Sequence, residues 1–370
     1  MNEPHQPEHG RALRNLFHPL KAHALIGEAQ RHSPILVVGY GRRRGSMDSR
    51  ERFRKTMGYG SPDRVPYFHE GMEEDVIQEW RKQGLSYGAD VYEMFHFDRR
   101  EEIEPDLEAL PGLRRWPSSI SELRRLHDAL DPDERSRLPR RWNTLVSKWR
   151  KRNHPLFLRV HRGFFLSMGV EGWKRFTEVM LLTLRDPVFV REAMRIQGEF
   201  SARIAERALQ ETEIDAAIFT EPIAENRGPL LSPEMYEDLV LKSYEPVLSV
   251  LRRHRVDTLI LLTFANIRSL LPSIVKWGFN CLWACEGPQK DMDCRELRRE
   301  FGRDLRLIGG IDLDVLRLDK ESIKREIYEK VPPLLADGGF IPLADGRVRK
   351  DIPLENYLYY RRLFEEVTQG

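Results

Sequence analysis

Cysteine is scarce in this 370-residue chain: Cys281, Cys285 and Cys294 are all there is, an odd number gathered late. That pattern excludes a disulfide framework and suits reduced thiols, so a cytoplasmic location is expected. Long apolar runs are missing as well. No stretch of 18 apolar residues occurs, so nothing reads as a membrane span. Ile35-Leu36-Val37-Val38 is too short for the core of a secretory signal. Charge of one sign is not in excess either. Sixty basic residues against 58 acidic ones leave +2, which gives no global field for nucleic acid or an anionic membrane. Internal repeats and low-complexity linkers are absent, while a hydrophobic content of 41% is enough for one large core.

What is present is an alternation of short β-branched or aromatic runs with long amphipathic ones, the pattern of βα units and a parallel sheet. Candidate strands are Val65–Phe68, Val91–Phe97, Leu156–His161, Ala216–Thr220, Thr258–Thr263, Cys281–Ala284, Leu305–Ile308 and Phe340–Leu343. Asp186-Pro187 and Ser232-Pro233-Glu234 each set a capping residue before a proline suited to the first helical turn. The stretch from Leu113 to His154, rich in Arg and holding Trp116, Trp142 and Trp149, reads as helices packed outside the sheet, with snorkelling arginines rather than an RNA surface.

Several fragments share one family's wording, in order, between Ser49 and Glu366. They are Arg50-Glu51-Arg52-Phe53, Pro62-Asp63-Arg64-Val65-Pro66, Asp186-Pro187, Gly228-Pro229-Leu230-Leu231-Ser232-Pro233-Glu234-Met235-Tyr236 and Gly309-Gly310-Ile311-Asp312. The closing unit, Gly338-Gly339-Phe340-Ile341-Pro342-Leu343-Ala344-Asp345-Gly346 leading to Pro353-Leu354-Glu355-Asn356-Tyr357, continues the series. Together they resemble the uroporphyrinogen decarboxylase superfamily, which also contains zinc- and corrinoid-linked methyltransferases. The resemblance implies an α/β fold, a single (β/α)8 TIM barrel with extra helices on the rim, over residues 47–370. Residues 1–46 hold five of the eleven histidines and nothing that matches the family. They are expected to be a disordered leader or an upstream misreading, with translation starting at Met47.

In such a barrel the chemistry gathers in the loops after the strands. That places Glu221, His69, Asp345 and Glu286 as candidate catalytic residues, and Arg162, Phe264, Asn266, Arg268, Arg347 and Asp312 as candidate substrate-binding residues. A carboxyl buried at a barrel mouth can be raised toward neutrality and act as a general acid, and a histidine there can shuttle protons. Each has a plainer reading: Glu221 and Glu286 as partners of rim arginines, His69 and His161 as satisfied rim residues, Asp312 as a helix cap. Zinc-using relatives take ligands from a His-x-Cys-Gly-Asn motif and from a later loop. The matching positions here are Leu262, Phe264 and Gly346, so no metal is expected.

The resemblance therefore implies a metal-free, cofactor-free decarboxylase acting on an anionic, polycarboxylate or tetrapyrrole-like substrate. The true uroporphyrinogen enzymes carry Arg-Gln-Ala-Gly-Arg where this chain has Phe68-His69-Glu70-Gly71-Met72. A corrinoid-linked methyltransferase or demethylase with a corrinoid protein partner is the alternative. A ligand-binding barrel without turnover is another. A homodimer is expected only by analogy with relatives.

Overall fold

A computed structural model describes residues 47–110, 113, 115–284 and 291–369. The expected leader, residues 1–46, and the candidate residue Glu286 lie outside the described residues. Seven parallel strands form one curled sheet: β1 (Glu101–Ile103), β2 (Leu156–His161), β3 (Ala216–Thr220), β4 (Leu259–Thr263), β5 (Cys281–Ala284), β6 (Arg306–Ile311) and β7 (Phe340–Ala344). They pair in chain order, each with the next.

Two of the eight expected strands need correction: among the described residues the sheet is a curled, barrel-like one of seven paired strands. Val65–Phe68 is extended but pairs with neither edge as a regular strand. It is held by single contacts: Asp98 N donates to Tyr67 O at 2.9 Å, and Met72 bridges Val348 in parallel fashion. Val91–Phe97 begins instead as a helical turn, Val91–Met94, because Asp90 caps it by accepting from Tyr92 N and Glu93 N. The strand of this unit lies later, at Glu101–Ile103. Its Glu-Glu-Ile sequence carries no apolar alternation, since Glu101 turns to Trp149 and His154 while Glu102 turns to two arginines. Ion pairs replace the hydrophobic signal by which strands are recognised.

Period-two alternation splits the core into two layers. Inward side chains, Phe157, Ala216, Ile218, Ile260, Leu262, Cys281, Trp283, Ile308, Ile341 and Leu343, form a cluster of their own. Outward ones, such as Leu158, Val160, Ala217, Phe219 and Leu261, pack under the helices. Helix α1 (Ser49–Met57) closes the N-terminal end of the interior. Its Phe53 and Met57 join the inner cluster, with Phe53 5.0 Å from Phe157 between ring centroids.

The helix starts read from the sequence are present. Asp186 caps α2 (Pro187–Leu209) through Phe189 N at 3.0 Å, and Ser232 caps the turn Pro233–Tyr236 through Met235 N at 3.2 Å. A π-turn, Glu237–Leu241, then leads into α3 (Lys242–Arg253). Helices α2 and α3 approach closely at Gly198, where an added Cβ would lie 1.8 Å from Ser243 O. The excursion before β2 is helical, over Leu123–Ala129 and Trp142–Trp149, and Trp149 is buried as expected of packing residues. Among the described residues no helix is long and apolar enough to cross a membrane.

Candidate active site

At the C-terminal end of the interior the inward positions change from apolar to charged. Glu70 follows Phe68 at the same parity, Glu102 lies on β1, Arg159 follows Phe157 on β2, and Thr220 follows Ile218 on β3. The alternation thus brings residues far apart in sequence to one mouth. Arg159 joins three of the staves: its Nε lies 2.7 Å from Glu102 Oε2 and 3.4 Å from Glu104 Oε1, and its Nη1 donates to Thr220 Oγ1 at 3.0 Å. Arg100 lies across from it. Its Nη1 is 2.9 Å from Glu102 Oε1, its Nη2 donates to His69 O at 3.1 Å, and its guanidinium stacks over Trp283 at 4.6 Å from the ring centroid.

Glu70 is the unsatisfied member of this group. Its Oε1 is 3.9 Å from Arg100 Nη2, close enough for attraction but too far for a hydrogen bond, and that oxygen is buried without a hydrogen-bond partner. Burial pushes the Glu70 carboxyl above the usual carboxylate range, against the pull of Arg100. Burial also works against the charge of Arg159, yet Glu102 and Glu104 outweigh it and hold the guanidinium pKa above its ordinary value. The mouth therefore combines an acid that favours its protonated form with two guanidinium groups fixed by glutamates. Neither arginine, nor Glu70 and Glu102, was among the residues chosen from the sequence. For three of them the available signal was parity: Glu70 and Arg159 stand two residues beyond an inward apolar side chain, and Glu102 stands opposite one.

Glu221, the leading candidate from sequence, is completely buried but faces the other way. Thr220 takes the inward position, so Glu221 projects into the layer between sheet and helices. There Oε1 accepts from Phe164 N at 3.0 Å, and Oε2 accepts from the hydroxyls of Tyr236, at 3.3 Å, and Tyr244. The π-turn aligns those tyrosines. Eight residues apart they would lie off-face on an α-helix, and one extra residue per turn restores a common face. Burial raises Glu221 to about 7 despite these donors. Gly163 makes the close approach possible: its φ is 82°, and an added Cβ would lie 2.4 Å from Thr220 O and 2.8 Å from Glu221 Oε1.

The two histidines also belong to the outer layer. His161 lies beyond a register shift in β2, its ring 4.4 Å from that of Tyr244, and Nδ1 accepts from Gly163 N at 3.0 Å. His69 packs 4.5 Å from Phe97 and 5.0 Å from Tyr92. Burial lowers both to about 3, helped by Arg162 for His161 and by Arg100 and Arg361 for His69. Both rings are neutral near pH 7.

The remaining candidates are spread along the rim. Asp345 keeps the parity of Ile341 and Leu343, and its Oδ1 accepts from Gly310 N at 3.0 Å beside Gly309. Phe264 packs against the inner cluster above Leu262. Arg347 pairs with Glu73 and is near enough to draw the Glu70 carboxyl downward. Arg162 pairs with Glu108 at 3.0 Å, and Arg268 pairs with Glu300. Asn266 donates to Asp291 Oδ2 at 3.0 Å and accepts from Arg268 N, tying two loops together. Asp312 caps the short helix that follows β6, accepting from Asp314 N at 2.9 Å.

The residues present do not fit the zinc of the metal-using relatives. Leu262 and Phe264 bring carbon to the inner mouth where the ligands would be, and Gly346 has no side chain. Zinc requires N, S or O donors. Among the described residues no group of three or more His, Cys, Asp or Glu is placed to hold a metal ion.

Comparison with known proteins agrees with this architecture. The structure resembles a solved methyltransferase from Methanosarcina mazei with a TM-score of 0.56 and 14% sequence identity, covering 87% of this chain and 99% of that one. At that identity the likeness concerns the fold alone. A slighter likeness, TM-score 0.41 and 11% identity over 81% of this chain and 88% of the other, is to xylanase B from Clostridium stercorarium F9 and supports no argument. No curated protein sequence matches. Residues 165–343 match the family described as uroporphyrinogen decarboxylase (URO-D). That segment, which runs from the first helical turn after β2 to β7, is what carries the likeness to the uroporphyrinogen decarboxylase family.

Proposed function

We propose that this chain is a decarboxylase-type enzyme that works by proton transfer at the mouth of its sheet on an anionic substrate. The observation that supports this reading best is Glu70: a buried carboxyl raised by desolvation, with one oxygen unpartnered, beside a fixed guanidinium. In the step envisaged, the bond between the substrate's carboxylate carbon and its neighbour breaks and carbon dioxide leaves. The electron pair stays on the neighbouring carbon, delocalised into the substrate's own unsaturated system. Glu70 then delivers its proton to that carbon and regains one from water. Arg100 and Arg159 supply positive potential in a site of low polarity, where such charges act strongly. No metal enters this scheme, and no cofactor is required by it.

Methyl transfer with a corrinoid partner is the second reading, suggested by the fold shared with a methyltransferase. The donor-free side chains of Leu262 and Phe264 weigh against the zinc-activated version of that reaction. Incubating the full chain with a panel of carboxyl-labelled carboxylic acids in deuterated water distinguishes the two. The decarboxylase reading expects labelled carbon dioxide and one deuteron at the vacated carbon, both lost in Glu70→Gln. Methylation of a thiol or of added cobalamin without carbon dioxide release would overturn it.

A further inference from the structure

The mouth contains a second buried polar atom without a partner. Trp283 lies on β5 at an inward position, almost fully buried, and its indole Nε1 donates to nothing among the described residues. Its ring lies under the Arg100 guanidinium, the same group that stands 3.9 Å from Glu70. One guanidinium is thus bordered by an unused N–H donor and by an unused carboxyl oxygen. Native interiors rarely leave such atoms unpaired, and a group that does so in the middle of a charged cluster marks a place where a ligand completes the network.

We infer that Glu70, Arg100 and Trp283 form a subsite for a single carboxylate on an aromatic or apolar body, so that the substrate is a small monocarboxylate rather than a polycarboxylate. This rests on the decarboxylase reading and names its substrate class. The argument has three parts. The donors suit a carboxylate: an indole N–H, a guanidinium, and a carboxylic acid whose proton is shared with the incoming oxygen.

The number of carboxylates is limited by the arginines. Arg159 is taken up by Glu102, Glu104 and Thr220, and Arg100 already gives one Nη to Glu102 and the other to His69 O, so the mouth has cationic capacity for one anionic group. The candidate arginines that could have added capacity are paired on the rim, Arg162 with Glu108, Arg268 with Glu300 and Arg347 with Glu73. A polyanion would meet Glu70, Glu102 and Glu104 as well. Finally, the walls are carbon: Phe68, Leu262 and Trp283 in the inner cluster and Phe264 packed on it.

The test is titration calorimetry on the full chain with benzoate, phenylacetate and 3-phenylpropionate. Benzamide replaces the charge, and mellitate places six carboxylates on the same ring. The expected result is one site per chain for at least one monocarboxylate, weakening of 10-fold or more for benzamide, and no binding of mellitate. Trp283→Phe, which keeps the stack on Arg100 and removes only the donor, should weaken binding by about 10-fold, as loss of a hydrogen bond to a charged group does. Glu70→Gln keeps a donor and should stay within a few-fold.

Absence of binding by all three monocarboxylates, tighter binding of mellitate, or an unchanged affinity in Trp283→Phe would overturn the inference. Its failure is separable from failure of the decarboxylase reading. Carbon dioxide release from a polycarboxylate with no monocarboxylate site refutes the subsite alone. Monocarboxylate binding without carbon dioxide release from any acid refutes the reaction alone.

Discussion

Two buried glutamates, Glu70 at the mouth of the curled sheet and Glu221 in the layer between sheet and helices, differ in a way that separates architecture from chemistry. Both are raised by burial. Glu221 is surrounded by donors, Tyr236, Tyr244 and Phe164 N, in an aromatic layer that no strand end opens. Glu70 has a charged neighbour and an oxygen that nothing satisfies. A raised carboxyl is therefore a sign of function only where its hydrogen bonds are incomplete. Where they are complete, the same burial organises the fold.

The comparison can be broken first at Gly163. An alanine there would carry a Cβ 2.4 Å from Thr220 O at a φ of 82°, forcing the loop away from Glu221. A loss of about 3 kcal/mol in urea unfolding is expected, the upper end of the range for strain at a special backbone position. Glu70→Gln should act in the opposite way. Activity should fall by about 100-fold or more, the usual share of a general acid, while stability stays within about 1 kcal/mol.

Third, the buried Glu221 carboxyl makes stability depend on pH. The folded pKa of Glu221, about 7, lies above its ordinary value of 4.5, so its contribution is fully present below pH 4.5 and is lost as pH rises toward 7. The change is on the order of 3 kcal/mol at 1.36 kcal/mol per unit. His69 and His161, lowered to about 3 from 6.5, work against it: stability rises with pH between those values as their unfolded forms lose protons. The stability of the wild type minus that of Glu221→Gln isolates the glutamate and should fall as pH rises from 4.5 toward 7.

Smaller effects sharpen the same contrast. His161→Phe should leave turnover within a few-fold, because a ring that is neutral and packed on Tyr244 moves no proton. Arg268→Ala should cost about 1 kcal/mol or less in thermal unfolding, as exposed pairs do, and leave carboxylate affinity unchanged.

Much of the fold was legible because apolar inward and outward positions dictate it. Six of the eight candidate strands coincide with observed ones to within a residue or a few, and the caps at Asp186 and Ser232 form as read. The failures share a cause. At Glu102 and at Glu70 the inward positions are filled by ionisable residues, so hydrophobic periodicity disappears where the chemistry begins. Strand-end residues were chosen by position alone: Glu221 fell on the outer face by parity and His161 by the register shift after Arg159, while Thr220 and Arg159 took the mouth. The alternation of Ile218, Thr220 and of Phe157, Arg159 was present in the sequence. Only the pairing of Arg100 with Glu70 and Trp283, brought together from three separate segments, needed the structure.

The most direct test of the account is side-chain carbon NMR of protein labelled at the glutamate carboxyls, with the two signals assigned through Glu70→Gln and Glu221→Gln, titrated with benzoate. The account predicts that the Glu70 signal shifts on ligand addition while the Glu221 signal, titrating near neutral pH, stays in place. A shift of the Glu221 signal with Glu70 unmoved would contradict it and return the chemistry to the outer layer.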